Sequence, residues 1–349
     1  MSNIFLTIAI PTFNRVELLQ KQLAHLCSQI GDLSIEVLIN DNCSDDGTRV
    51  MAERYMKNYS FVRYFCQTTN IGLDGNVYSC YKNALGQYIW FLSDDDTVFS
   101  NSVADVYSII HQTNPSVMAF SFYNSKTEIC DNSEHHVQIY NDFDTENSVR
   151  DFFKVIMIST LVLKKYEDQN INLDYLQNLK PTIFPQITLA LKILKYDFIL
   201  AVSDTKILLR QPGYVSKNFF ELYCINPRLA IKNAQLSPKN ESKLLRHTEQ
   251  SLREFVKLQF LEKIGYFYSK SGLPLATFLK GWKEFTGLNN KLYVLLIYVI
   301  SLQPKELIYY FFLLLKLLKT FSITKLLKEK TLIDNHYQNN ILKTKTADV

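Results

Sequence analysis

Several chemistries are absent from this chain. Its 349 residues hold no Gly-x-Gly-x-x-Gly turn, Gly72 and Gly75 coming nearest, and no Gly-x-x-x-x-Gly-Lys-Ser/Thr loop. The nucleotide cradles of dinucleotide oxidoreductases and P-loop enzymes are therefore excluded. Cys27, Cys43, Cys66, Cys80, Cys130 and Cys224 are widely separated with no Cys-x-x-Cys, so neither a zinc site nor a disulfide framework is indicated, and reduced, mostly buried thiols are expected. With 38 basic and 34 acidic residues the net charge is +4, too balanced for a nucleic-acid binder. No apolar run reaches the ~20 residues that a bilayer crossing requires. The N-terminus carries no basic–apolar leader, and a cytoplasmic protein is expected. Hydrophobic content of 47% with 13% aromatics rules out global disorder and supports one large core with a smaller appended unit.

What is present starts with Trp90-Phe91-Leu92-Ser93-Asp94-Asp95-Asp96, an apolar run that ends in three carboxylates. Such a run reads as a buried strand delivering acids to a cleft. On an extended segment Asp94 and Asp96 would point the same way and could share a hard divalent cation, with Asp95 facing a ribose or backbone. The other reading is a polar turn after a strand.

The preceding residues supply context. Thr7 to Ile10 is a short apolar run closed by Pro11-Thr12-Phe13-Asn14-Arg15, after which Val16, Leu18, Leu19, Leu23 and Leu26 recur at helical spacing. Ile35 to Ile39 is a second strand ending in a polar loop from Asn40 to Thr48, followed by a helix to Asn58. Asp45 reads there as an N-cap or turn residue. Phe61 to Phe65 is a third strand, the loop Asn70 to Asn76 leads into a helix from Val77 to Leu85, and Gln87 to Leu92 runs into the acid triplet. Alternating β and α elements predict a mostly parallel sheet with ligands at its carboxyl edge.

Three motifs, in order and about one βα unit apart, carry a family resemblance: Ala9 to Arg15, Ile39 to Thr48, and Asn70-Ile71-Gly72 with Asn76 before Ser93-Asp94-Asp95-Asp96. Over roughly its first third the chain resembles the family 2 glycosyltransferases of the GT-A fold, and among them the sugar transferases of bacterial O-antigen and capsule assembly. The resemblance implies an α/β, Rossmann-like, mixed but mostly parallel sheet flanked by helices. It implies a nucleotide-sugar-dependent catalytic domain, expected over residues 1–215, while the helical pattern from about Asn218 marks residues 216–349 as a helical C-terminal region. It assigns Asp41 to the base of a nucleoside-diphosphate sugar, Pro11, Thr12 and Arg15 to the loop lining base and ribose, and Asp94 to the ribose side. Asn70, Gly72 and Asn76 join the donor-binding set, although Asn70 also suits a turn. Asp96 is assigned to a Mn²⁺ or Mg²⁺ ion, which oxygen ligands and a diphosphate suit, and Asp95 to the catalytic centre between them. The implied reaction is inverting transfer to a hydroxyl of a glycan or lipid-linked acceptor.

The chain departs from the family where many relatives carry a Glu-Asp pair whose Asp is the general base. Pro185-Gln186 stands there, and an amide cannot accept a proton at neutral pH. Gln186 is then expected to position the acceptor. The base is sought among Asp174, Asp204, Glu167 and His136, with Asp174 the nominee. Two alternatives of other classes stay open: a nucleotidyltransferase, which would want a basic Gly-rich loop near residue 12, and a non-catalytic nucleotide-sugar or glycan-binding scaffold.

Later elements are expected as a helix from Val103 to Gln112, a strand from Ser116 to Tyr123, and a polar insertion from Asn124 to Asn147 that could carry acceptor specificity. A helix from Ser148 to Ile158 should lead to an extended segment ending at Leu163. A helix from Phe184 to Leu194 should precede two strands, Phe198 to Val202 and Lys206 to Arg210. Near the C-terminus, the apolar runs 292–302 and 307–315 flank Pro304, and Lys316, Lys319, Lys325, Lys328 and Lys330 follow. This segment reads either as a peripheral attachment to an anionic inner-membrane face or as a helical pair packed on the core or at a dimer contact.

Overall fold

The computed structural model describes residues 4–123, 136–167, 171–209 and 226–248. The chain opens with four βα or β units in direct succession: β1 (Leu6–Thr12), α1 (Val16–Cys27), β2 (Ile35–Asp41), α2 (Thr48–Asn58), β3 (Val62–Cys66), α3 (Gly72–Asn83) and β4 (Tyr88–Phe91). There follow β5 (Thr97–Val98), α4 (Ser102–Thr113), β6 (Val117–Tyr123), β7 (Val137–Tyr140), α5 (Glu146–Phe152), β8 (Leu161–Lys164), α6 (Leu173–Gln177), α7 (Pro185–Tyr196), β9 (Leu200–Leu209) and α8 (Asn226–Asn233).

These strands form one mixed sheet in the order β3-β2-β1-β4-β8-β6-β9-β5, with β7 paired to β9. β3, β2, β1 and β4 run parallel, β8 is antiparallel to both β4 and β6, and β6 and β9 are parallel. The expected mostly parallel α/β sheet is therefore observed. Because β1 pairs with β2 on one side and β4 on the other, the winding reverses at β1. In open α/β sheets such a reversal is where the loops leaving the carboxyl ends of neighbouring strands commonly form a ligand crevice.

Side-chain alternation builds a core on each face. Ile8 and Ile10 of β1 join Leu19, Leu23 and Leu26 of α1 and residues of α2 and α4. Ala9 and Phe91 join Val77, Cys80 and Tyr81 of α3 and much of α7. All seven residues of β2 are buried, as a strand covered on both faces demands, and each buried Ile, Leu or Val contributes about 1.5–3 kcal/mol. Residues 226–248 add Ala230, Ile231, Ala234 and Leu244 to the core shared with α7, and Lys243 Nζ bonds Phe143 O at 3.0 Å.

Four elements differ from the sequence expectation. Helix α3 begins at Gly72, five residues before Val77, because Asn70 Oδ1 accepts the Gly72 N–H at 2.9 Å and Gly72 itself takes φ +76°. The 124–147 segment contributes β7 and the start of α5, since β9 offers an edge that β7 fills; residues 124–135 lie outside the described ones. The helix expected to Ile158 stops at Phe152, where tight turns at Phe153–Ile156 and Ile158–Thr160 take over. β9 is one strand in place of two. Its interruption is a register shift against β6, at which Ser203 Oγ donates to Thr205 Oγ1 at 2.8 Å. The segment 292–330 lies outside the described residues, among which no helix is long and apolar enough to cross a membrane.

The amino edge of the sheet is tied by Glu36, 2% exposed, which accepts Thr7 Oγ1 at 2.7 Å, Leu85 N at 2.9 Å and the Arg63 guanidinium. Gly86 N donates to the same Thr7 hydroxyl at 2.8 Å. A Cβ on Gly86 would lie 2.5 Å from Thr7 N and 2.8 Å from Leu6 C and Tyr88 O, all backbone atoms. Gly86→Ala is thus expected to destabilise the fold by about 1–3 kcal/mol or more, measured as a lower thermal midpoint; an unchanged midpoint would show that the backbone crossing has slack.

Candidate active site

Backbone pairing sets Thr12 and Asp41 at one level, and the turn after β4 brings Asp94 to Thr12. Thr12 is directly opposite Asp41 in the β1–β2 register. Ala9 is opposite Phe91 in the β1–β4 register, so three residues further along each chain Thr12 meets Asp94. Thr12 Oγ1 donates to Asp94 Oδ2 at 2.8 Å, and Arg15, from the loop between β1 and α1, donates to Asp94 Oδ1 at 2.9 Å and Asp95 Oδ2 at 3.0 Å. Asp94 is 4% exposed whereas the Arg15 side chain is 47% exposed. Burial raises the Asp94 carboxyl above the ordinary range, the Thr12 and Arg15 bonds only partly opposing it and the Asp95 charge adding to it.

Asp94 and Asp95 occupy a turn, so the alternation expected of an extended triplet does not apply. Asp94 and Asp95 share Arg15, while Asp96 turns to a different partner. Ser159 Oγ donates to Asp96 Oδ2 at 2.6 Å and accepts the Ser93 N–H at 2.9 Å. The Ser159 carbonyl in turn accepts the indole N–H of the fully buried Trp90 at 2.8 Å. Ser159 therefore fastens both ends of the acid turn to the 158–160 turn. Nothing in the sequence marked it, because the partnership spans 63 residues.

The β2 loop is similarly knitted. Asp41 is fully buried; its Oδ1 accepts Ser44 N at 3.0 Å and Ser44 Oγ at 2.5 Å, and its Oδ2 accepts Tyr64 OH at 2.7 Å. Burial, and secondarily the bond to Asp41, raise the Tyr64 hydroxyl far above its ordinary range, so it stays a donor. Asn76 donates to Asn40 O at 3.0 Å and accepts Asn40 Nδ2 at 2.7 Å. Asn42 donates to Asn70 Oδ1 at 2.9 Å and accepts Ile71 N at 2.9 Å. In this structure Asn70, Gly72 and Asn76 thus hold the loops around the crevice in shape. Gly47 is the N-cap of α2, and the preceding loop is held by Asp46, which accepts Thr48 N at 3.1 Å and Thr48 Oγ1 at 2.6 Å, and Val16 N at 2.8 Å. Asp45 is exposed and gives only its N–H, to Asn14 at 3.0 Å.

Gln186 is buried in the first turn of α7. Asp174 is exposed in the first turn of α6, a short helix capped by Asn172 Oδ1 on Tyr175 N at 3.1 Å. Pro11 is half-buried near the end of β1, opposite Asn40. Thr12, Arg15, Asp94 and Asp95 are in direct contact; Asp174 makes no contact with them. Asp204 is exposed and paired with Lys154 at 3.0 Å.

The donor set is suited to a hard cation. Among the described residues no group of three or more His, Cys, Asp or Glu side chains is arranged to hold a metal alone, and Asp96 offers a carboxylate beside the Ser159 hydroxyl. Mg²⁺ and Mn²⁺ commonly take one or two carboxylates from a protein and their remaining oxygens from phosphate and water, so the residues present fit such an ion.

Because Asp94 titrates above the unfolded-state range, its ionisation opposes folding. Its contribution is fully present below the unfolded carboxyl pKa near ~3.9 and is lost as pH rises through the folded value. Asp94→Asn is therefore expected to gain thermal stability relative to the parent protein as pH is raised from about 4 to 7. Melting curves across that range check it, and a difference that shrinks with rising pH contradicts it.

Residues 7–162 match the family model described as Glycosyl transferase family 2. The chain is 36% identical over 101 residues to the abequosyltransferase RfbV of Salmonella typhimurium, covering 28% of this chain and 30% of that protein. It is 30% identical over 100 residues to the GalNAc(5)-diNAcBac-PP-undecaprenol beta-1,3-glucosyltransferase of Campylobacter jejuni, covering 28% and 32%. The matched stretch spans about a third of the length of these curated relatives. In structure the chain is similar to Staphylococcus aureus TarS 1-349, with a TM-score of 0.54 and 17% identity over 81% of each chain, a likeness of fold. The fold and the strand-end acids thus agree with a match, over residues 7–162, to the family model described as Glycosyl transferase family 2.

Proposed function

We propose that this protein is a glycosyltransferase that moves a sugar from a nucleoside diphosphate to a hydroxyl of a glycan or lipid-linked acceptor, with inversion, in bacterial surface polysaccharide synthesis. The observation that carries the reading is the convergence of Thr12 and Asp41, paired at the ends of β1 and β2, with Arg15, Asp94 and Asp95 from the neighbouring loops, and with Asp96 following in the same acid turn. A diphosphate donor needs a polar edge for its base, hydroxyl-binding groups for its ribose and a counter-charge for its phosphates, and this set contains all three. The names of the relatives, an abequosyltransferase and a glucosyltransferase of an undecaprenol-linked substrate, favour a lipid-linked acceptor at the inner membrane face, to which the 292–330 segment would attach the enzyme.

In this reading Asp41 and the Tyr64 hydroxyl meet the base, the carboxylate exchanging its Tyr64 bond for a base N–H. Pro11, Thr12 and Arg15 line base and ribose, and Asp94, fixed by two donors, accepts from a ribose hydroxyl. Asp96 would hold a Mn²⁺ or Mg²⁺ ion, whose Lewis acidity neutralises charge on the departing diphosphate. Asp95 lies between the two, restrained by Ser93 at 2.5 Å and Arg15. Gln186 orients the acceptor, whose oxygen attacks opposite the leaving group while a base takes its proton. Asp174, exposed and without an ion-pair partner among the described residues, is the nominee for that base.

Binding and turnover of a nucleotide-sugar panel in Mn²⁺ and in chelator test the reading. Release of nucleoside diphosphate in the absence of acceptor separates an enzyme from a binding scaffold. Asp96→Ala should keep the fold and lower the turnover number by about 10²–10³-fold; full activity of the folded variant in chelator would remove the metal role. Asp41→Ala should weaken free nucleoside diphosphate and nucleotide sugar alike by about 10- to 100-fold, as loss of a charged hydrogen bond does. Calorimetry that showed only the sugar conjugate affected would place Asp41 away from the base.

A further inference from the structure

The first turn of α3 carries a carboxylate that the donor crevice does not use. Asp74 is 8% exposed, and donors from a segment 108 residues further along the chain converge on it: Thr182 N at 2.7 Å and Thr182 Oγ1 at 2.9 Å on Oδ2, and Ile183 N on Oδ1 at 2.9 Å. The Thr182 hydroxyl also accepts Phe184 N at 3.1 Å. Ile183 is held at φ +63°, in the left-handed region that a β-branched residue enters only when its surroundings compel it. Its side chain is 45% exposed, so packing of that side chain is not what compels it. The three bonds to Asp74, with the Phe184 N–H bond to Thr182, are.

This turn leads directly into Pro185 and Gln186, the first residues of α7. The same end of α3 is fastened to the donor loops, Asn76 donating to Asn40 O at 3.0 Å and Asn42 donating to Gly72 O at 3.2 Å. A continuous chain of contacts therefore runs from the ends of β1 and β2 through α3 and Asp74 to the start of α7. The two segments that Asp74 joins also carry exposed apolar side chains, Ile71 and Leu73 on one and Ile183 on the other. Both Asp74 oxygens accept hydrogen bonds from the chain itself, which suits a fixed anchor and not a proton acceptor.

We infer that Asp74 is a positioning residue, which locks the 182–184 turn in its left-handed kink and so presents Ile183 and Gln186 to the acceptor at a fixed separation from the donor crevice. The inference rests on the glycosyl-transfer reading for the acceptor, while the clamp itself does not.

The test uses the full chain with Asp74→Ala, Asp74→Asn and Ile183→Gly. Hydrogen exchange of a peptide spanning 179–187 reads the clamp, calorimetry with UDP and GDP in Mn²⁺ reads the donor side, and transfer of label from nucleotide sugars to a lipid extract of the source cells reads the acceptor side. Asp74→Ala should speed exchange at residues 182 and 183 by about tenfold or more and raise the extract needed for half-maximal transfer by about tenfold or more. Its diphosphate affinity should stay within about twofold. Asp74→Asn, which keeps one carbonyl acceptor, should fall between. Ile183→Gly relieves the strained backbone, so it should raise the melting temperature by about 2–4 °C and still raise the acceptor requirement. Unchanged exchange at 182 and 183 overturns the clamp. Faster exchange with an unchanged acceptor requirement, or loss of diphosphate binding, overturns the positioning role. If the parent protein binds no diphosphate and labels nothing, the glycosyl-transfer reading fails and takes the acceptor role with it, and exchange alone then decides the clamp. Should Asp74→Ala not fold, Asp74→Asn carries the same decisions.

Discussion

Parallel pairing of β2, β1 and β4 is the constraint on which the site depends. Backbone hydrogen bonds fix which residues stand level, and here they set Thr12 opposite Asp41 and bring Asp94 alongside. A one-residue slip in either pairing would turn each following side chain to the other face of the sheet. The apolar alternation of Ile8, Ala9 and Ile10 between two cores opposes such a slip, because it would force Ile8 and Ile10 into the space that Ala9 fills and leave a void where they now pack. The same burial that stabilises the sheet therefore aligns the acids at its edge.

That edge carries buried polar groups, which are costly unless satisfied. Asp41 accepts from Ser44 and Tyr64, Asp94 from Thr12 and Arg15, and Asp96 from Ser159. Satisfaction is incomplete in energetic terms for Asp94, whose ionisation burial still opposes. At the opposite edge Glu36 accepts Thr7, Leu85 N and the Arg63 guanidinium, which ties β1, β2, β3 and the segment leading into β4 together.

The elements most legible in the sequence were the parallel βα units, because strands such as Ile35 to Ile39 and a helix such as α1 show their periods in a few consecutive residues. The acid triplet was legible as a site for the same reason. Its internal geometry was not. Period-two alternation holds only for extended backbone, and Asp94 and Asp95 lie in a turn whose partners, Arg15 and Ser93, decide which carboxylate points where. Helix α3 began earlier than expected because a side chain from another loop, Asn42, organises its first turn. Likewise β9 appeared as two strands because its bulge at Ser203 to Thr205 reads as a polar break until the neighbouring β6 is present.

By itself the sequence determined the order of strands and helices, the delivery of acids to strand ends and the absence of other nucleotide cradles, since each of these follows from local pattern. Only the tertiary structure decided that Ser159 braces Asp96, that Tyr64 donates to Asp41 and that Asp74 grips Thr182 and Ile183. Those partners are separated by 63, 23 and 108 or more residues. Contacts of that range depend on which strands pair and which helices cover them, and no local periodicity encodes that choice.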